Sequence, residues 1–461
     1  MAAYLTPLLH FQRFFIPGLL LLLVWSLWRI AFRKDQAIGL ALYVGLLIIV
    51  DGFMNTGMYL PGLEKGSIRF SELCALLLWF NRPPAPPDQP PRAFVRRCVA
   101  GYFLLLFLAV FRAEPMMKAL FEYRGIVIPQ IIAFSIAIRG LHSSEDYRRF
   151  FLGLMALVII IGLFSFWDIF FDRWLLKSDM LGKPEYYVNR KHGRFGSFLL
   201  NPNFLGAFVV LVFPVSFIWW LRERSGFFRM FALVGLLSLV FSLVETQSRA
   251  PLAAFAASVM LLVVGPCGGL SRRRRLAILS VFVLVFSLAM PGFYKHAIER
   301  FSALDEETTE ESASRKTMWT YTRGIIADNP LLGIGFGEMQ YRDALQAAGY
   351  EEKYGRLFDN PHNSYLQAAS YAGLPVLILF LLANAALLRR SILISARGGA
   401  GDETPTVFGL TVGVTGFLVC SYPDMHMFTV NVGPTYWVFF GILLSLVTKP
   451  RPPNPSETSA S

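Results

Sequence analysis

Twelve stretches of this chain are apolar for long enough to cross a bilayer, and that property limits its possible folds more than any other. They lie at 14–32, 37–55, 98–113, 124–141, 150–171, 204–221, 228–245, 251–266, 276–291, 374–388, 405–422 and 431–448, with a shorter thirteenth at 67–80. The hydrocarbon core of a membrane is about 30 Å thick, which a helix spans in roughly 20 residues. In lipid every backbone N–H and C=O must be satisfied by the protein itself, so only helices and closed barrels cross. These runs are apolar at nearly every position and lack the polar alternation of a barrel strand. The expected fold is therefore an all-α polytopic membrane protein with 12 or 13 transmembrane helices. Charged residues agree, at 16% against about 25% in globular domains.

Lys and Arg set the orientation. The links at 80–97, 139–149, 222–229, 271–275, 389–397 and 449–451 are short and basic, which assigns them to the cytoplasmic side. The formal net charge of +12 is thus mostly topology. Its dispersal over many membrane ends argues against a nucleic-acid partner and leaves membrane lipids as neighbours. The connections at 172–203, 246–250 and 292–363 then face outward, and the longest holds the acidic run DEETTEE at 305–311. With a cytoplasmic C-terminus, 12 spans put the N-terminus inside and 13 put it outside. The expected organisation is transmembrane helices over 1–291, a long outward loop over 292–373, further transmembrane helices over 374–448 and a flexible tail at 449–461. The first apolar run reads as an anchor rather than a cleaved signal. Cys74, Cys98, Cys267 and Cys420 have no paired spacing, so neither a disulfide framework nor a Cys metal site is expected. The glycines of GIGFGEM (333–339) read as a turn rather than a phosphate loop. The Pro-rich segments at 83–91 and 450–455 read as extended links.

Polar residues collect at the outward helix mouths. Three Asn-Pro pairs, Asn201-Pro202, Asn329-Pro330 and Asn360-Pro361, each read as a helix start, because Asn caps and Pro fits the first turn. His362 would then lie in the first turn of a helix ending near Gly373-Leu374-Pro375. The positive end of that helix attracts anions and favours the neutral imidazole that a general base requires. Arg194, Arg249 and Arg315 converge on the same face by topology. An Arg at a span end is ordinarily a headgroup anchor. Arg249 departs from that pattern, because its link is too short to leave the membrane surface. Asn363, Ser364 and Tyr365 would position His362 or serve as caps and anchors. Asp359, Glu245 and Asp424 are the carboxylates near enough to orient an imidazole, and His426 and His192 are rival bases. Trp219-Trp220 and Tyr186-Tyr187 read as an interfacial aromatic belt.

Together, SRAPLAAF at 248–255, RKTMW at 315–319, DNPLLGIGFG at 328–337 and PHNSYLQAASYAGLP at 361–375, with RFGSFLLNPNFLGAF upstream, resemble the O-antigen ligase and O-antigen polymerase superfamily of bacterial membrane glycosyltransferases. The resemblance covers roughly 150–390. It departs at Ala250, where many relatives carry Gly. It implies a C-type-glycosyltransferase-like enzyme of the bacterial cytoplasmic (inner) membrane, with its active site facing the periplasm and no cofactor or metal. Its donor would be a glycan on undecaprenyl diphosphate, and its acceptor the lipid A-core or a growing glycan. Residue by residue, it implies diphosphate binding by Arg249 and Arg315, with Arg194 a further candidate, and base catalysis by His362. Two guanidiniums pair bidentately with a diphosphate and neutralise its growing charge, and the chain has no Asp-x-Asp motif. O-antigen ligation is the favoured reading. A polymerase, a pilin-directed transferase and a lipid-linked glycan transporter are the alternatives.

Overall fold

The computed structural model describes residues 35–51, 69–83, 90–141, 143–170, 194–265, 307–398 and 400–449, together with positions 29, 271, 273, 275, 276 and 280. Most of the expected spans at 14–32 and 276–291, the segment holding His192 and Tyr186-Tyr187, Cys267, the start of the long outward loop and the Pro-rich tail lie outside the described residues.

Among the described residues the structure is helical, with no strand. In chain order the helices are α1 (Gln36–Gly45), α2 (Phe70–Phe80), α3 (Pro90–Val110), α4 (Met116–Gly140), α5 (Ser144–Phe170), α6 (Pro202–Arg222), α7 (Gly226–Thr246) and α8 (Arg249–Val264). There follow α9 (Glu307–Asp328), α10 (Glu338–Ala347), α11 (Tyr350–Tyr354), α12 (Ser364–Ala372), α13 (Leu374–Arg397), α14 (Thr404–Cys420) and α15 (Val432–Val447). Of these, 7 are long and apolar enough to cross a membrane: α3, α4, α5, α6, α7, α13 and α14. They fall on the runs expected at 98–113, 124–141, 150–171, 204–221, 228–245, 374–388 and 405–422. The remaining runs within the described residues form shorter apolar helices, Gln36–Ile49, Ser71–Phe80, Arg249–Val264 and Val432–Val447.

One of those shorter helices is the hub. Every residue of α15 is buried, as expected of a helix apolar on all sides. It lies chiefly against α4 and also packs on α14 and α13. Trp437 Nε1 donates to Gln130 Oε1 at 2.8 Å, and Tyr436 Oη donates to Asn384 Oδ1 at 2.6 Å. These bonds give the buried polar tips their partners and fix the rotation of α15 against α4 and α13.

α6 and α14 form the second close pair, and glycine explains how close. Gly409, Gly413 and Gly416 line the face of α14 that meets α6, and a Cβ at Gly413 would sit 2.3 Å from the Leu211 carbonyl oxygen. Small residues at such spacing let two membrane helices approach backbone to backbone. The pair is antiparallel, so the start of α6 lies beside the end of α14. That juxtaposition builds the site described next.

Candidate functional site

The three Asn-Pro pairs do three different jobs. Asn201 caps α6 as expected: its side chain accepts the Asn203 N–H at 2.9 Å, with Pro202 in the first turn. Asn329-Pro330 starts no helix, contrary to expectation. It follows the end of α9, and the segment after it runs along the C-terminal end of α12. There Ile334 N donates to Ser370 O at 2.8 Å and Gly335 N to Tyr371 O at 3.1 Å. Those carbonyls would otherwise be orphaned at a helix end, which is why the segment stays irregular. Gly333 has φ +65°, and a Cβ there would meet the Tyr371 backbone at 2.5 Å. The glycine-rich stretch is thus a structural turn, as read from the sequence.

Asn360-Pro361 also starts no helix. The cap of α12 is Asn363, whose side chain accepts from Tyr365 N and Leu366 N, each at 3.0 Å. Asn360 Oδ1 instead accepts the His362 N–H at 3.0 Å, an Asx turn that competes with helix formation. His362 therefore stands just before the cap rather than in the first turn, with φ +44°, the left-handed region rare for a side-chain-bearing residue. Trp319 of α9 holds the preceding residue, donating Nε1–H to Pro361 O at 2.8 Å.

α12 is then stitched to the end of α14 and to the link between α14 and α15. Ser364 N donates to Ser421 O at 3.0 Å, Ser364 Oγ to Asp424 O at 2.9 Å, and Tyr365 Oη to Leu418 O at 2.6 Å. Asn363 and Tyr365 thus support the site through the backbone. The stitching sets His362 Nδ1 3.5 Å from Asp424 Oδ1, at the outer limit of a hydrogen bond. The imidazole is about 33% exposed and the carboxylate 7%. Nε2 has no partner among the described residues and is left for an incoming group.

Asp424 is bound on both oxygens. Met425 N donates to Oδ1 at 2.8 Å and Asn203 Nδ2 to Oδ2 at 2.7 Å. Burial by itself would raise this carboxyl. The hydrogen bond from His362 and the charges of His426 and His362, with the Met425 N–H, outweigh it and hold the group well below the usual carboxylate range. Asp424 is therefore the carboxylate that orients the imidazole. Asp359 faces Arg342 instead, at 3.7 Å on the exposed surface.

Asn203 is the junction that sequence patterning passes over. Its Oδ1 accepts from Arg194 Nη2 at 2.7 Å and from Ser248 Oγ at 2.6 Å, while its Nδ2 serves Asp424. All of its strong partners point one way, which fixes the amide orientation. Its signal in the sequence is the second Asn of Asn-Pro-Asn, beside an Asn already committed as a cap. Ser248 precedes α8, yet its hydroxyl goes to Asn203 and makes no cap bond. The first N–H groups of α8 therefore have no side-chain cap, and Arg249, exposed at position one, has no hydrogen-bond or ion-pair partner among the described residues. Arg315, on α9, sends Nη1 to Pro423 O at 3.4 Å, one residue from Asp424.

His426 is no rival base. It is buried at 1% exposure, with Nε2 3.2 Å from the Asn203 carbonyl and no partner for Nδ1 among the described residues. Burial pushes its imidazole down, against the pull of Asp424. A neutral ring donating Nε2–H to the carbonyl satisfies both observations.

The structure thus links His362, Asp424, Asn203, Arg194 and Ser248 through side-chain contacts; Arg249 follows Ser248, and Arg315 touches Pro423, the residue before Asp424. A base with a counter-charge beside guanidiniums and an uncapped helix start can deprotonate a hydroxyl and stabilise an anionic leaving group. No curated protein matches the chain. Residues 234–381 match the family model described as O-antigen ligase, a stretch that carries Arg249, Arg315 and His362 and leaves out Asn203 and Asp424. Residues 234–381 are thus similar to the O-antigen ligase family, which supports a glycan-transfer role for a protein with 7 helices of membrane length among the described residues.

Proposed function

We propose that this protein transfers a glycan from undecaprenyl diphosphate to an acceptor hydroxyl at the periplasmic face of the bacterial inner membrane, ligating O-antigen onto lipid A-core. The observation that carries the reading is the contact of half-exposed His362 with ionised Asp424, joined through Asn203 to the Arg249 end of α8.

In this reading Nε2 of His362 takes the acceptor's proton as its oxygen attacks C1 of the donor sugar. The C1–O bond to phosphate breaks, and undecaprenyl diphosphate departs on the opposite face, so C1 is inverted. Asp424 stays ionised and stabilises the imidazolium, as a buried carboxylate does beside a catalytic histidine. Arg249 and Arg315 bind the diphosphate and meet its increasing charge. Arg194 contributes to the same anion site through Asn203. Diphosphate is a good leaving group, so no general acid is needed. Two arginines perform the electrostatic task that a divalent cation performs elsewhere, and the reaction runs without added metal.

The test is transfer by purified protein given lipid-linked glycan and acceptor in the presence of a chelator. His362→Ala is expected to lower kcat by about 10²–10⁴-fold, the range for a lost general base; a wild-type rate rejects the assignment. Arg249→Lys and Arg315→Lys keep charge and lose the planar fork, so each is expected to raise KM for the donor, measured by titrating lipid-linked glycan.

A further inference from the structure

At the other end of the bundle from His362 lies a second site. α6 runs from Asn203 beside Asp424 to Arg222, and α14 returns from Thr404 to Cys420. At 1.5 Å per residue their far ends lie about 30 Å from the first site, on the opposite side of a membrane. Between the ends of α5, α6 and α14 is a cavity of about 950 Å³, at the upper end of the range for small-molecule sites.

Its charges are sorted. Arg148 Nε pairs with Glu223 Oε2 at 3.1 Å, and Arg222 Nη1 lies 3.7 Å from Glu403 Oε2 and donates to Thr406 Oγ1 at 3.0 Å. Two lining residues stay outside these pairs. Arg224 and Asp402 are both exposed, and neither has a hydrogen-bond or ion-pair partner among the described residues. One unpaired cation and one unpaired anion therefore face a single cavity. The rest of the wall is mixed: Ser144, Ser225 and Thr404 stand beside an apolar patch in which Phe151 stacks on Trp219 at 6.4 Å and 26°. A tryptophan at the end of a membrane-length helix marks headgroup depth.

We propose that this cavity binds the headgroup of a zwitterionic phospholipid bearing a primary ammonium. Arg224 takes the phosphate, with the start of α14 adding its positive dipole end, and Asp402 takes the ammonium. An anionic lipid would satisfy Arg224 and meet repulsion from Asp402, so the pair selects for zero net charge.

The experiment titrates the purified full-length protein in mild detergent with phosphatidylethanolamine or phosphatidylglycerol and counts bound lipid by native mass spectrometry. Phosphatidylethanolamine is expected to bind about tenfold more tightly than phosphatidylglycerol, the scale of one charge-assisted hydrogen bond. Arg224→Ala is expected to weaken phosphatidylethanolamine by a similar factor, and Asp402→Asn to abolish the preference between the two lipids. The proposal is overturned if wild type binds phosphatidylglycerol equally or better, or if Asp402→Asn keeps the preference. Wild type alone decides the first comparison, so a misfolded variant cannot leave the matter open.

Discussion

His362 occupies a backbone conformation that costs a side-chain-bearing residue roughly 1–2 kcal/mol. Its neighbours hold it there: the Asx turn from Asn360, the Trp319 bond to Pro361 and the Asn363 cap on the following helix. The strain turns the imidazole out of the helix and toward Asp424. Asp424→Asn preserves that shape and removes the charge, so kcat is expected to fall on the order of 10²-fold with KM for the lipid donor unchanged, the pattern of a lost transition-state counter-charge. A fold defect would also lower apparent kcat at unchanged KM, so the folded fraction of the variant, measured by size-exclusion chromatography, is used to correct the rate. The same carboxyl gives a stability signature. Its folded-state value is depressed, so its contribution is complete above the unfolded value of about 3.9 and is lost as pH falls through the folded one. The gap in apparent Tm between wild type and Asp424→Asn is therefore expected to narrow as pH falls below about 4.

At the level of elements, the site exists because α6 and α14 touch. Asn203 belongs to the first turn of one and Asp424 to the link just after the other, 221 residues apart in sequence and 2.7 Å apart in space. Gly413 sets the interaxial distance, since any side chain there collides with the Leu211 carbonyl. Gly413→Leu is expected to destabilise by about 1–3 kcal/mol, the range for overpacking, visible as a lower apparent Tm. It is also expected to cut transfer by more than the loss of folded protein explains, because separating the helices parts Asn203 from Asp424. A variant with reduced Tm and full specific activity would show that the relay does not depend on this contact. The expectation that all three Asn-Pro pairs begin helices failed at this scale. Asn329-Pro330 and Asn360-Pro361 have the composition of a helix start, and neighbouring elements claimed their polar groups for other bonds.

Across the whole molecule the two sites lie at opposite ends of the same helices. The exposed residue Glu352 shares the His362 end, and Asp402 lies at the other. With Cys267 replaced by Ser and Cys74, Cys98 and Cys420 buried, a membrane-impermeant maleimide applied to intact spheroplasts is expected to label Glu352→Cys and to spare Asp402→Cys until the membrane is opened. Equal labelling from outside would refute the orientation read from the basic links. The acceptor is also a whole-molecule property. Deletion in the producing cell is expected to accumulate full-length lipid-linked polymer, whereas a single repeat unit on the core would indicate a polymerase.

Apolar runs of membrane length determined by themselves that the chain is helical and polytopic, because lipid offers the backbone no alternative partner. The sequence also singled out His362, Arg249 and Arg315 as candidates, because their motifs are local and stand out against an apolar background. It offered Asp424 only as one carboxylate among three and left Asn203 unread. The choice among those carboxylates depends on which helix ends meet, and that is settled by packing between segments hundreds of residues apart. The tertiary structure made the choice: the glycine face of α14 against α6 brings one carboxylate to the histidine, and Asp359 turns outward to Arg342.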